Sequence, residues 1–267
     1  PAVRPRAAWP PARAGAGPRS VLRERKNRGV EVGPLEDCRH ECTIVYLHGF
    51  AGAGRDYLGN GQCLPWIFGG RYAPRLRAVL PTAERKRQPW GQQENSWYCY
   101  RSPRSNQVGD LRTLEGTRRL LEEVVRAEVA GLAGDGRRVF MGGLSQGCAV
   151  ALDTYLRLAP ELQLGGFVGS VGFLPSDRLG FRGASRALEQ LVEDGRQAER
   201  PMWLQVATDD DTEVPWRTLA QPSLRPARGR LPGLRVRKIS GRGHAIDEWE
   251  EDFLNEFMRA HATFAYC

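Results

Sequence analysis

The chain has 267 residues, 41% of them hydrophobic, with a mean hydropathy of -0.48 and a formal charge of +8. A chain of this size buries a full core without disulfide staples, and no apolar run approaches the roughly 20 residues that cross a bilayer. The charge is concentrated at one end: residues 1–30 carry seven Arg, Lys26 and a single acid, Glu24, which leaves the remainder nearly neutral.

Residues 1–36 are rich in Ala, Pro, Arg and Gly without apolar periodicity, so a disordered basic arm or a targeting remnant is expected there, followed by one domain over 37–267. Glu41–Leu47 is continuous and β-branched, the pattern of a strand buried on both faces. It runs into the glycine loop His48-Gly49-Phe50-Ala51-Gly52. Asp56–Phe68 reads as a helix broken near Pro65, and Leu76–Leu80 as a strand ending at Pro81. Residues 82–110 lack a clear period but contain Trp90, Trp97, Tyr98 and Tyr100, the composition of a pocket wall or of a cover over the core edge. Leu111–Leu132 is an amphipathic helix.

Val139–Met141 is a short strand, followed by Gly143-Leu144-Ser145-Gln146-Gly147 and a helix through Leu158 that Pro160 stops. G-x-S-x-G between a strand and a helix is the nucleophile-elbow pattern. Glycines are needed because the turn is sharp and a flanking Cβ collides with its surroundings. Gly165–Gly172 is a glycine-laced strand, Ala184–Val192 a helix, and Met202–Ala207 a strand leading to Asp209-Asp210-Asp211. Leu234–Ile239 is a strand leading to Gly243-His244, and Ile246–Ala262 the closing helix. Alternating strands and helices imply an α/β fold, a mostly parallel central sheet with helices on both faces.

Loops at the carboxyl ends of such strands collect the chemistry. A serine hydroxyl needs a base, and the base needs an anion to fix its tautomer. Of the four histidines, His40 precedes the first strand, His261 lies in the last helix and His48 stands upstream of the serine. His244 is therefore the expected base. Asp209, Asp210, Asp211 and Glu213 compete for the acid. The order Ser, Asp, His along the chain is that of α/β-hydrolases. The six cysteines form no zinc-type spacing, Cys38-x-x-x-Cys42 included, so no metal is expected.

Leu47-His48-Gly49-Phe50, Pro81-Thr82-Ala83 with Ser96-Trp97-Tyr98, the elbow, Asp211-Thr212-Glu213-Val214-Pro215 and Gly243-His244 follow one another over roughly residues 41–262. In these segments the sequence resembles the acyl-protein thioesterase and carboxylesterase family, small α/β-hydrolases also called the phospholipase/carboxylesterase family. The resemblance implies an α/β-hydrolase fold with Ser145 as nucleophile, His244 as base, and Asp211, selected by the D-x-x-V-P pattern, as the orienting acid. It implies the N–H groups of Phe50 and Gln146 as oxyanion hole, and Trp97, Tyr98 and Leu144 beside the acyl chain. The sequence departs from the family pattern at Gly52, at Cys99-Tyr100 and at Cys148, which bears on the acyl pocket. The implied activity is that of a serine esterase or thioesterase without a cofactor. Its substrate is an acylated protein, a lysophospholipid or a small ester. A hydrolase-fold binding protein, or an assembly subunit with vestigial catalysis, is the alternative. Nucleic acid is not expected as a partner, and the basic arm suits weak contact with a membrane surface. The scattered thiols suit a cytoplasmic protein, and the arm suits import into an organelle as the alternative.

Overall fold

The computed structural model describes residues 20–25, 29–35, 37–58, 73–177, 185–195, 197–241, 243–244 and 247–265. Eight described strands form the main sheet: β1 (Ser20–Arg25), β2 (Gly29–Leu35), β3 (Cys42–Leu47), β4 (Leu76–Leu80), β9 (Val139–Leu144), β10 (Gly166–Ser170), β11 (Met202–Ala207) and β12 (Leu234–Ile239). Their spatial order is β1-β2-β4-β3-β9-β10-β11-β12. From β4 to β12 every pairing is parallel, and β1 and β2 add an antiparallel edge.

Helices cover both faces. On one side α1 (Leu111–Gly131), α2 (Gln146–Leu162) and α3 (Arg186–Asp194) pack on Val45, Met141, Phe167 and Leu204. On the other, α5 (Asp247–His261) brings Phe253, Phe257 and Met258 against Ile44, Tyr46, Phe140 and Trp203. The alternation of strand side chains explains the two cores: Leu204 and Val206 face one layer while Trp203 faces the other. Among the described residues no helix is long and apolar enough to cross a membrane.

The expected arm over 1–36 is corrected by β1 and β2. Val30, Glu31 and Val32 are buried, β2 pairs with β4, and the Glu31 carboxylate accepts from Arg77 at 2.8 Å. The only local sign of this strand is a short V-E-V alternation, and its stability comes from pairing with a strand some 45 residues away. Residues 1–19 lie outside the described residues. So does the expected helix beyond residue 58, where Gly54–Leu58 is a single 3-10 turn.

The segment 82–110 is not a plain loop. It contains two small hairpins, β5 (Arg85–Arg87) with β6 (Gln93–Asn95), and β7 (Tyr100–Ser102) with β8 (Ser105–Val108). Pro160 does not stop α2, which ends at Leu162. A proline in the last turn withdraws one donor, and Gln163, left-handed at φ 54°, closes the helix with its N–H on Ala159 O.

Candidate active site

Ser145 joins β9 to α2 with φ 53° and ψ -117°, a strained conformation for a residue with a Cβ. The flanking glycines are enforced by contact. A Cβ at Gly147 would lie 2.3 Å from His48 O and 2.4 Å from Leu47 O, and one at Gly143 would lie 2.7 Å from Leu47 O. Strand β3 thus runs hard against the elbow, which is how the His48-Gly49-Phe50 loop reaches the serine. A Cβ built on Gly49 would stand 3.6 Å from Ser145 Cβ.

His244, beyond the end of β12, places Nε2 2.9 Å from Ser145 Oγ and Nδ1 2.7 Å from Asp210 Oδ2. With Nδ1–H donating to the carboxylate, Nε2 is left to accept from the serine hydroxyl. The expected acid, Asp211, is corrected to Asp210: Asp211 is exposed, whereas Asp210 is 4% accessible and holds the histidine. The local backbone decides between them. Asp210 Oδ1 accepts from Thr212 N and Glu213 N at 3.1 and 3.0 Å, and Oδ2 from Val214 N at 2.9 Å. The turn wraps its own N–H groups around that carboxylate and aims it inward. Burial opposes the charge, but the hydrogen bonds from His244, Val214 and Glu213 prevail and hold the carboxyl below the usual range.

Asp209 has a third job. Its Oδ2 accepts from Gly241 N at 2.7 Å and Gly243 N at 3.1 Å, which fastens the loop bearing His244 to the end of β11. Those two N–H groups hold its own carboxyl below the usual range. Sequence reasoning missed this staple. The glycine turn after the next strand, 32 residues downstream at Gly241, was the available signal.

The other histidines are structural. His40 Nε2 lies 2.9 Å from Thr43 Oγ1, and His261 packs edge-on against Trp203. His48, 2% accessible, has Nδ1 2.6 Å from Gly49 O and accepts at Nε2 from Ala83 N at 2.9 Å. A carbonyl on one nitrogen and an N–H on the other fix a neutral ring, and burial pushes its pKa down to about 4.

Trp97 and Tyr98, expected beside the acyl chain, are both 0% accessible, which corrects that reading. Trp97 is a brace. Its Nε1 donates to His48 O at 2.7 Å, its ring lies 4.8 Å from the His48 ring, and its N–H donates to Gln146 Oε1 at 2.9 Å. Gln146 Nε2 completes the tie by donating to Ser96 Oγ and Tyr98 O at 3.1 and 3.0 Å. The aromatic surface that remains partly accessible is made by Phe50 and Trp90, both packed on Tyr100 with ring centroids 4.9 and 6.2 Å from it. Leu144 is half-buried, near Gly49.

Two hydrogen-bond facts orient the loop amides. Gly49 O is taken by His48 Nδ1 and by Gly52 N, so the Phe50 N–H of the same trans peptide points the opposite way. Ser145 O accepts from Ala149 N inside α2, so Gln146 N–H points out of the helix N-terminus.

The phospholipase/carboxylesterase family model matches residues 35–189. The chain belongs to the phospholipase/carboxylesterase family. Among curated proteins, acyl-protein thioesterase 1 of Schizosaccharomyces pombe is 31% identical over 147 residues, 51% of this chain and 58% of that protein. Acyl-protein thioesterase 1 of Yarrowia lipolytica is 30% identical over 51% of this chain and 59% of that protein. The match thus spans somewhat more than half the length of these relatives. Among solved structures, Arabidopsis thaliana SOBER1 superposes with a TM-score of 0.59 at 18% identity, over 83% of this chain and 99% of that one. A phospholipase/carboxylesterase from Dyadobacter fermentans gives 0.59 at 21%, over 87% and 96%. The family and these neighbours identify the sheet as an α/β-hydrolase fold.

Proposed function

We propose that this family member is a serine hydrolase of carboxylic esters or thioesters, working through an acyl-enzyme on Ser145. The observation that carries the reading is the unbroken relay Asp210–His244–Ser145, with separations of 2.7 and 2.9 Å. His244 Nε2 takes the hydroxyl proton as Oγ attacks the carbonyl carbon. Asp210 steadies the imidazolium that forms. The tetrahedral oxyanion is met by the N–H groups of Phe50 and Gln146, whose orientation away from Gly49 O and Ser145 O supports that role. Collapse passes the proton from Nε2 to the departing thiol or alcohol, and water, deprotonated at the same nitrogen, releases the acid.

The acyl group rests on Phe50, Trp90 and Leu144, which are partly accessible apolar side chains among the described residues beside the oxyanion loop. The substrate classes that suit this surface are S-acylated proteins, lysophospholipids and small carboxylic esters. The names of the curated relatives favour the first. Hydrolysis of p-nitrophenyl and acyl-thiol substrates by the wild type, compared with Ser145→Ala, tests the reading. Activity that survives the substitution refutes it.

A further inference from the structure

The near-neutral total of residues 31–267 conceals an uneven distribution. Residues 214–246 hold seven arginines, one lysine and no acid. This stretch builds the far edge of the sheet: a wide helical turn at Trp216–Ala220, α4 (Gln221–Leu224), the turns that follow, and β12. Buried Leu219, Leu224, Ala227 and Leu231 anchor the helical part to the core. Among the described strands β12 pairs only with β11.

The side chains of β12 divide its cations. Arg235 and Arg237 lie over Trp203 and Phe253 of the α5 face, 5.5 and 5.8 Å from the ring centroids, and Arg237 also meets Glu256 at 3.3 Å. Leu234, Val236 and Lys238 turn the other way and form one wall of a groove of about 770 Å³. Trp216, Leu224, Pro226, Arg225 and Arg228 contribute to the lining opposite. The described lining therefore combines an apolar floor with three cations and no acid, Lys238 lying 5.2 Å from the Trp216 ring centroid. None of Ser145, His244 and Asp210 belongs to it, although Trp216 N–H donates to Asp210 O at 3.0 Å.

We propose that this groove binds an anionic single-chain amphiphile. The chain lies on Trp216, Leu234 and Val236, and the carboxylate or phosphate head is held by Arg225, Arg228 and Lys238. A free anion leaves the apolar floor wet. A neutral amphiphile leaves the three cations of the lining without an anion. A flat bilayer needs no concavity, whereas the volume falls within the roughly 300–1,000 Å³ of small-ligand sites. The inference does not depend on the reaction proposed above, and its test reads binding alone.

Dodecyl phosphate, titrated calorimetrically below its micelle concentration, is the probe. It contains no carboxylic ester to cleave. We expect one saturable site whose affinity weakens by roughly tenfold or more in Arg225→Gln/Arg228→Gln, because charge-assisted contacts are lost. Arg225→Lys/Arg228→Lys should retain most of it. Both arginines are exposed, and thermal melting checks that the variants fold. In the wild type alone, raising salt from about 0.05 to about 0.5 M should weaken binding. Inorganic phosphate and dodecyl maltoside at the same concentrations should not bind. Unchanged affinity in the glutamine variant, equal binding of inorganic phosphate or the neutral maltoside, or binding only to phosphatidylserine vesicles would each overturn the proposal.

Discussion

The elbow and the acid loop hold their reactive side chains by opposite means. At the elbow the backbone of β3 crowds Gly143 and Gly147, and Ser145 is held by contact and strain. At the acid loop hydrogen bonds do the holding. Three successive aspartates are told apart only by which backbone N–H groups each one collects: three for Asp210, two from a distant turn for Asp209, and for Asp211 a place in solvent. Steric specification shows itself in residue type, because only glycine fits. Hydrogen-bond specification depends on the direction of each side chain, and identical residues acquire different roles.

The sharpest way to break this contrast is to exchange amide for carboxylate along the run. Asp210→Asn should lower kcat/KM on the order of 10⁴-fold by presenting the wrong group to Nδ1, whereas Asp211→Asn should stay within about twofold. Asp209→Asn should fall between, since it weakens the staple on the histidine loop and not the relay. If Asp211→Asn were the crippling change, the hydrogen-bond pattern around Asp210 would have no bearing on rate.

On the elbow side, Trp97 tests whether packing rather than polar contact sets the site. Trp97→Ala should cost about 3–5 kcal/mol of stability and depress all acyl chain lengths alike, because the indole brace on His48 is lost while the main-chain N–H that holds Gln146 remains. Denaturant melts combined with a chain-length panel check this, and a purely long-chain defect would return Trp97 to the pocket.

His48 gives a pH signature to the same brace. Its folded pKa of about 4 lies below the 6.5 of an ordinary histidine, so between those pH values the unfolded chain binds the extra proton. Stability should therefore be fully present above about pH 6.5 and decline as pH falls toward 4, by on the order of 3 kcal/mol. His48→Gln should flatten that part of the profile. An identical slope in wild type and variant would show that other groups produce it.

The smallest effect belongs to Trp90, half-buried beside Phe50 and Tyr100. Trp90→Ala should lower kcat/KM for long acyl chains by about tenfold relative to acetyl esters, with little change in melting temperature. Equal loss for both lengths would remove it from the acyl surface.

Much of this architecture is legible in the chain because its strands are strongly apolar and its turns are glycine-marked. β3, β4, β11 and β12 fall within a residue of the expected bounds, and α1 and α5 likewise. Ser145 and His244 were identifiable as candidates from their loops at strand ends, and the structure brings them together. Three features were not legible, each for a physical reason. β2 is stabilised by nonlocal pairing that a short V-E-V segment does not announce. Trp97 reads as a pocket aromatic, but its indole N–H finds a carbonyl in the interior. The choice of Asp210 over Asp211 rests on one turn of backbone, and a linear motif that ranks neighbours by spacing carries no information about that turn.

The central claim is that Asp210, His244 and Ser145 act as one nucleophilic unit, and covalent trapping measures it most directly. The protein is treated with a fluorophosphonate, and the modified peptide is mapped by mass spectrometry in the wild type, Asp210→Asn and Asp211→Asn. The account predicts a single adduct on Ser145, formed at similar rates in the wild type and Asp211→Asn and far more slowly in Asp210→Asn. An adduct on another residue, or equal labelling rates in the two asparagine variants, would contradict it.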